Sequence, residues 1–461
     1  MSRRRALPSV LLLAAVAGLP GRAAAAPPDG ATSSLGQAVQ QALEKRMSIQ
    51  IARASRDAAE ARVRQAEAAF APTARFTTDL GYLKSYDAFT GISGTVTLPQ
   101  LGPITIDVTR SVPRYQITPV LRLDLQLYDG GRRDAQLAKT EVQAEGASLA
   151  ERVVARRVAQ EVAGAFFGLR KACVQWNMAA RREQWALRRQ ATAVERNEQG
   201  RMPDIERAAA QLAARERTLD LRGAEAQIRS AHVNLLVTMG TPGTLAATAG
   251  SEAAACSFRT SVQQDLAEIE PQAAGQPDLD KIDRDLQAAQ YQVGVSRSAA
   301  RPQLSLYAQY AGVGRSKGNG PGGMEQLRSR DVSFGLLFSY TFFDGGLTRS
   351  RVAEDIAEVE RLRLERERAS QELQASHWRG ASEVERAQVD LDLARERAAL
   401  ARKRLVLARE RLAGGTGPAA AVDDAATDEQ EAADLETLAE IGLANANLAL
   451  MFPASPANTA R

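Results

Sequence analysis

The chain alternates between two hydrophobic periods. Between Val120 and Tyr128, Leu121, Leu123, Leu125 and Leu127 fall on one side, and Arg122, Asp124 and Gln126 on the other. Leu304, Leu306, Ala308 and Tyr310 alternate in the same way with Gln303, Ser305, Tyr307 and Gln309. Period two marks a strand with one apolar and one polar face. Elsewhere the period is helical. Val154, Val158, Val162, Phe166, Leu169, Cys173 and Trp176 step by threes and fours and form one apolar stripe. Val384, Ala387, Leu391, Ala394, Ala398, Ala401, Leu405, Ala408 and Leu412 form a heptad seam, whose alanines let helix axes approach closely. Helices are therefore expected over about 131–197 and 346–412, each roughly 100 Å long at 1.5 Å per residue. Shorter helices are expected over about 35–70, 206–239, 278–300 and 420–450. They are near half length, so two laid end to end match one long helix. Strands are expected over about 72–87, 115–128, 303–313 and 331–343.

These elements occur twice. Leu127-Tyr128-Asp129-Gly130-Gly131 recurs as Phe342-Phe343-Asp344-Gly345-Gly346, 215 residues on. Ala71-Pro72 closes a polar helix and opens a strand, as does Arg301-Pro302. Ala231 to Leu236 resembles Ala444 to Ala449. Three landmarks in one order mark a duplication. Unequal spacing places about 15 extra residues in the first strand pair, between Phe89 and Ser111. The expected organisation is a first repeat over 26–250, a connector over 251–276, a second repeat over 277–452 and a short tail over 453–461.

Asp129 and Asp344 read as structural: each accepts N–H groups at a helix start, and Gly130, Gly131, Gly345 and Gly346 permit the sharp turn. Pro72 and Pro302 read as structural strand openings.

At the N-terminus, Arg3, Arg4 and Arg5 precede the apolar run Val10 to Leu19 and the small residues Ala23 to Ala26. This is the pattern of a secretory signal, expected over 1–25. Ten apolar residues are too few to span a bilayer, and no later stretch is long enough, so any spanning part must be β-strand. A half-buried soluble hairpin has the same period two, but the aromatics favour membrane strands. The windows 72–129 and 302–344 hold 13 of the 19 Phe and Tyr, as strands at lipid interfaces do. Four strands per chain leave two open edges, so copies must pool strands, and three copies give twelve.

Composition narrows the function. Basic and acidic side chains number 59 and 55, a near-balance that argues against nucleic-acid binding. Two His and two Cys leave little for a metal site, and no cofactor is expected. His232 and His377 stand apart and read as solvated or hydrogen-bonding residues. An oxidising compartment would allow Cys173 and Cys256 to pair, and the sequence leaves open whether they do. Trp176 and Trp185 read as helix packing. Arg181-Arg182 and Arg188-Arg189 read as a solvated face. No nucleophile–base set or phosphate loop points to an enzyme.

The order and spacing of these landmarks resemble the TolC-type outer-membrane efflux proteins from about Leu35 to Met451. The carriers are the two proline openings, the two D-G-G junctions and the helix-ending runs Asn234-Leu235-Leu236 and Asn447-Leu448-Ala449-Leu450. Two glycine turns, Asn197 to Gly200 and Ala413 to Thr416, also match. The resemblance implies a mainly α chain with a transmembrane β-barrel portion. Duplicated helix-strand-strand-helix-helix units would build a long α-helical barrel, with a twelve-strand β-barrel as a homotrimer. It implies an outer-membrane channel of a tripartite efflux or type I secretion system, set in outer-membrane lipid. Its partners would be a periplasmic adaptor, met at tip turns bearing Gly200, Glu206, Gly415 and Thr416, and an inner-membrane transporter. The connector would be an equatorial belt midway along the tunnel.

In the family a V-D-x-x-D-A arrangement after the second turn lines the constriction. Here its second aspartate falls on Asp424, the first on Ala421, and Asp423 sits beside, so Asp423 and Asp424 are gate candidates. The competing role is capping of the last helix. Gly414, Gly415, Gly417 and Pro418 suggest a loose second tip. The rival to the channel as a whole is a periplasmic coiled-coil adaptor or scaffold.

Overall fold

The computed structural model describes residues 34–82, 92–98, 102–108, 115–241, 256, 258, 260–273, 275–316 and 327–453. The expected signal lies outside them. The first repeat runs α1 (Leu35–Lys45), α2 (Met47–Ala68), β1 (Thr73–Tyr82), a separate hairpin of β2 (Ile92–Leu98) and β3 (Gly102–Val108), β4 (Tyr115–Tyr128), α3 (Arg132–Glu198) and α4 (Asp204–Thr238). Then come α5 (Val262–Ala273), α6 (Pro277–Ser298), β5 (Gln303–Ser316), β6 (Leu327–Ser339), α7 (Leu347–Ala413) and α8 (Ala419–Met451). Both long helices have 67 residues. The hairpin β2–β3 occupies the insertion that sets the two repeats apart.

Two local readings change. The helix expected over 35–70 is broken at Arg46, which is extended. There the backbone of Gly240, at the end of α4, backs onto it: a Cβ on Gly240 would stand 3.2 Å from the Arg46 Cα. The strand expected over 331–343 lies instead at Leu327–Ser339. Its last partner is Gln303, beyond which Pro302 has no N–H to give.

β1, β4, β5 and β6 form one antiparallel sheet in that order. Register aligns the faces. Phe76, Leu121, Tyr310 and Val332 lie in one row, and Ala74, Leu123, Ala308 and Phe334 in another. The opposite face carries Arg75, Arg122, Gln309 and Ser333. One face is mainly apolar, broken by Thr78 and Arg330 near one end, and the other mainly polar. Among the described residues, β1 and β6 keep one edge each without a partner strand.

The core sits at the waist of the helices. Val158, Val162, Phe166, Leu169 and Cys173 on α3 pack with Leu35 and Val39 of α1, Ile228 and Leu235 of α4, Ile269 of α5, and Ile441 and Leu448 of α8. Each buried large side chain stabilises by about 1.5–3 kcal/mol. Toward the turns the core thins to Ala398, Ala401 and Ala432. α3 packs on α4 and on α8, and α8 on α7, so the helices beyond the waist form an array α4–α3–α8–α7.

Candidate functional site

Two strand-to-helix junctions carry the sheet on the helices. The Asp129 carboxylate accepts the N–H groups of Arg132 and Arg133 at 3.1 and 3.0 Å, and the Arg133 guanidinium at 3.1 Å. Gly130 has φ +72°, and a Cβ there would stand 2.6 Å from that of Arg301. Arg301 in turn donates to the Gly130 carbonyl at 2.8 Å. The second repeat's Arg301-Pro302 corner therefore seats on the first repeat's Asp129-Gly130-Gly131 corner. Pro72 precedes β1 as Pro302 precedes β5. Asp344 accepts from Gly346 and Thr348 at 2.9 and 2.8 Å. Hydrogen bonds from Thr348 hold this exposed carboxyl below the usual carboxylate range. Gly345 and Gly346 have φ +66° and +89°, and nothing lies within 4 Å of a Cβ on either.

The far ends of the long helices turn back through two tight loops. Gly200 and Gly415 both have φ +71°, the left-handed conformation that closes a helix end. Asn197 Nδ2 donates to the Met202 carbonyl at 2.8 Å, and Glu206 lies in the first turn of α4, where a carboxylate complements the helix dipole. In the second loop the Thr416 N–H, the Thr416 hydroxyl and the Gly417 N–H all donate to the Arg411 carbonyl, at 2.9, 3.1 and 3.0 Å. This turn is closed by hydrogen bonds despite its glycines.

α8 begins at Ala419 with Pro418 as its cap, so Asp423 and Asp424 stand past the four free N–H groups and do not cap it. Both are exposed. Asp424 Oδ1 accepts from Trp185 Nε1 at 3.3 Å across the α3–α8 seam. Arg189 stacks over the Trp185 ring at 4.5 Å. Higher on the same seam Arg182 meets Glu431 at 2.7 Å, and Arg181 pairs with Asp434. The arginines expected to be a solvated face are thus partly tied to α8. Their partners lie some 250 residues away, a distance that periodicity does not bridge.

The waist holds what sequence reading missed. Cys173 and Cys256 form a disulfide, a pairing that the sequence left open. Beside it the Arg170 guanidinium pairs with the fully buried Asp265 and donates to the Thr260 carbonyl. It also stacks over the Phe258 ring at 4.8 Å. Thr260 Oγ1 donates to Asp265 at 2.6 Å. Burial pushes the Asp265 carboxyl up and the Arg170 guanidinium down. Burial likewise lowers the pKa of His232. No group of His, Cys, Asp and Glu suited to a metal ion occurs among the described residues. No described helix is long and apolar enough to cross a membrane.

The family model for outer membrane efflux proteins matches residues 38–241 and 270–452. The chain belongs to the outer membrane efflux protein family. No curated protein matches it by sequence. Among solved structures it is similar to the outer membrane protein VceC of Vibrio cholerae, at 15% identity and a TM-score of 0.66, covering 91% of this chain and 96% of that one. The CmeC channel of Campylobacter jejuni matches at 13% identity and 0.66, covering 96% and 93%. The open state of the MtrE channel of Neisseria gonorrhoeae matches at 15% and 0.67, covering 91% and 88%. As a member of this family the chain is an outer membrane efflux protein. The coiled-coil scaffold reading has no support in these matches.

Proposed function

We propose that three copies close their sheets into a twelve-strand barrel and their helices into a tunnel, forming the passive outer conduit of a tripartite efflux or type I secretion assembly. One observation carries the reading: the sheet has an apolar face, a polar face and unpaired edges at β1 and β6. Lipid does not tolerate such edges, and small closed barrels begin at about eight strands. The junctions support ring closure. Asp129-Gly130 is covered by Arg301 of the same chain, whereas Asp344-Gly345-Gly346 stands open, ready for the Ala71-Pro72 corner of the next copy.

In this assembly the turns bearing Gly200, Glu206, Gly415 and Thr416 face the periplasmic adaptor. An inner-membrane transporter supplies the energy. Asp423 and Asp424, exposed near the second turn, line the constriction. The channel moves its cargo without a catalytic group of its own. Detergent-extracted protein should run as heat-resistant trimers and produce stepwise conductance in planar lipid bilayers. A subunit that stays soluble and single without detergent and passes no ions would overturn the proposal.

A further inference from the structure

Arg330 stands on the wrong face for its chemistry. Even residues of β1, β5 and β6 and odd residues of β4 share the mainly apolar side of the sheet. Among the described residues that the register places on that side, Arg330 is the one charged side chain, and it is exposed. Its cross-strand partner is Gly312, which has no side chain to cover it. Asp79 and Asp331 alternate to the polar side, so neither carboxylate shares the face of Arg330. Its height is also particular. Arg330 lies nine residues before Ser339, the helix-side end of β6. At about 3.4 Å per residue and a strand tilt near 40°, that is about 23 Å up a barrel wall whose apolar band is about 25 Å tall. An arginine is costly at mid-bilayer and nearly free at the headgroups.

We propose that Arg330 binds the phosphate of a phosphorylated lipid in the outer leaflet, at one site per copy on the lipid-facing wall. This rests on the barrel proposed above, which turns the apolar side to lipid and the sheet end remote from the helices to the cell exterior. The guanidinium fork matches two phosphate oxygens at once. Ring closure brings no rival anion. When β6 meets β1 of the next copy, the β1 residues turned to lipid are Ala74, Phe76, Thr78, Leu80 and Tyr82. None is charged, so no stagger between copies carries a β1 carboxylate to Arg330 on this side. The counter-charge therefore comes from the membrane. A choline headgroup carries its own cation and leaves little net attraction, whereas a phosphomonoester is wholly anionic. The wall also has a bed for acyl chains. Val332, Phe334 and Leu336, toward the helices on the same strand and the same side, are 74%, 81% and 62% exposed. A free phosphate ion makes no use of that column; a lipid does.

The test offers the detergent-purified full chain equal amounts of phosphatidic acid and phosphatidylcholine of the same acyl composition, and counts retained lipids by native mass. The wild type should prefer phosphatidic acid by about fivefold per copy. Arg330→Gln should hold the two lipids alike. Arg75→Gln, which removes a cation from the polar side of the same sheet, should keep the wild-type preference. Inorganic phosphate in molar excess should leave the bound lipid in place; its displacement would reduce the site to one for free phosphate and overturn the lipid. Equal retention of both lipids by the wild type overturns the site without recourse to any variant, as does a preference that survives Arg330→Gln. A chain that conducts in planar bilayers and gives either result loses this site alone. A chain that stays soluble and single without detergent loses the barrel, and the site with it.

Discussion

Asp129 and Asp344 hold the same place in the two repeats, yet their surroundings give them different weights. Asp129 is buried and carries the Arg133 guanidinium as well as two N–H groups, so Asp129→Ala should cost about 2 kcal/mol, the upper end for a lost cap. Asp344→Ala should cost less, since water replaces what the carboxylate gave. Denaturant midpoints of the two variants check the order. The sign of the pH dependence also separates residues. The Asp344 pKa is lowered, so its contribution is whole above the ordinary carboxylate value and is lost as pH falls through the lowered one. The Asp265 pKa is raised by burial, so the folded chain holds that proton more tightly than the unfolded chain. Its contribution shrinks as pH rises through the window above about 3.9. The melting temperature of the wild type should therefore fall relative to Asp265→Asn across that window; a constant gap would remove the assignment. The D-G-G junctions are legible from sequence because a cap acts within four residues. Arg170 and Asp265 lie 95 residues apart, and their meeting is not legible.

At the scale of elements, period two marks the sheet strands, and their register sorts leucine and aromatic rows from polar ones. Leu123→Arg, on the apolar face, should cost about 2–4 kcal/mol at mid-bilayer and lower the yield of heat-resistant trimer in outer membranes. Arg122→Leu, on the polar face beside Asp124, should leave the yield intact and change single-channel conductance. The waist depends on a cross-link between elements. The disulfide closes a separation of 83 residues. Replacing Cys173 and Cys256 together by serine should destabilise by about 2–5 kcal/mol. It should also free α5 for proteolysis, read as new cleavage between 256 and 273; an unchanged digest would show that Arg170 and the apolar core hold the connector unaided. The break at Arg46 escapes a periodicity argument for the same reason as the disulfide: Gly240, which backs onto it, lies far along the chain.

For the whole molecule, burial is uneven along the helices, dense at the waist and sparse toward the turns. The tip half relies on close alanine packing and on pairs such as Arg402 with Glu429 and Glu436. Each exposed pair is worth about 0–1 kcal/mol. Opening free energies are therefore lower toward the turns than at the waist. In the proposed trimer, three copies of Asp423 and Asp424 around a narrow pore would repel one another and draw counter-cations. Replacing both by alanine should raise single-channel conductance and weaken block by multivalent cations in planar bilayers. Unchanged conductance and block would leave Asp424 only as the hydrogen-bond acceptor of Trp185.

Local rules were enough to read the two repeats, the long helices, the two-faced strands and the junctions that join them. Each is written in contacts a few residues apart, where period and turn chemistry act. The paired cysteines, the Arg170–Asp265 pair, the α3–α8 ion pairs and the hydrogen bond from Trp185 to Asp424 came from folding. They depend on how far one helix slides and rotates against another, and no spacing along a single chain encodes that offset.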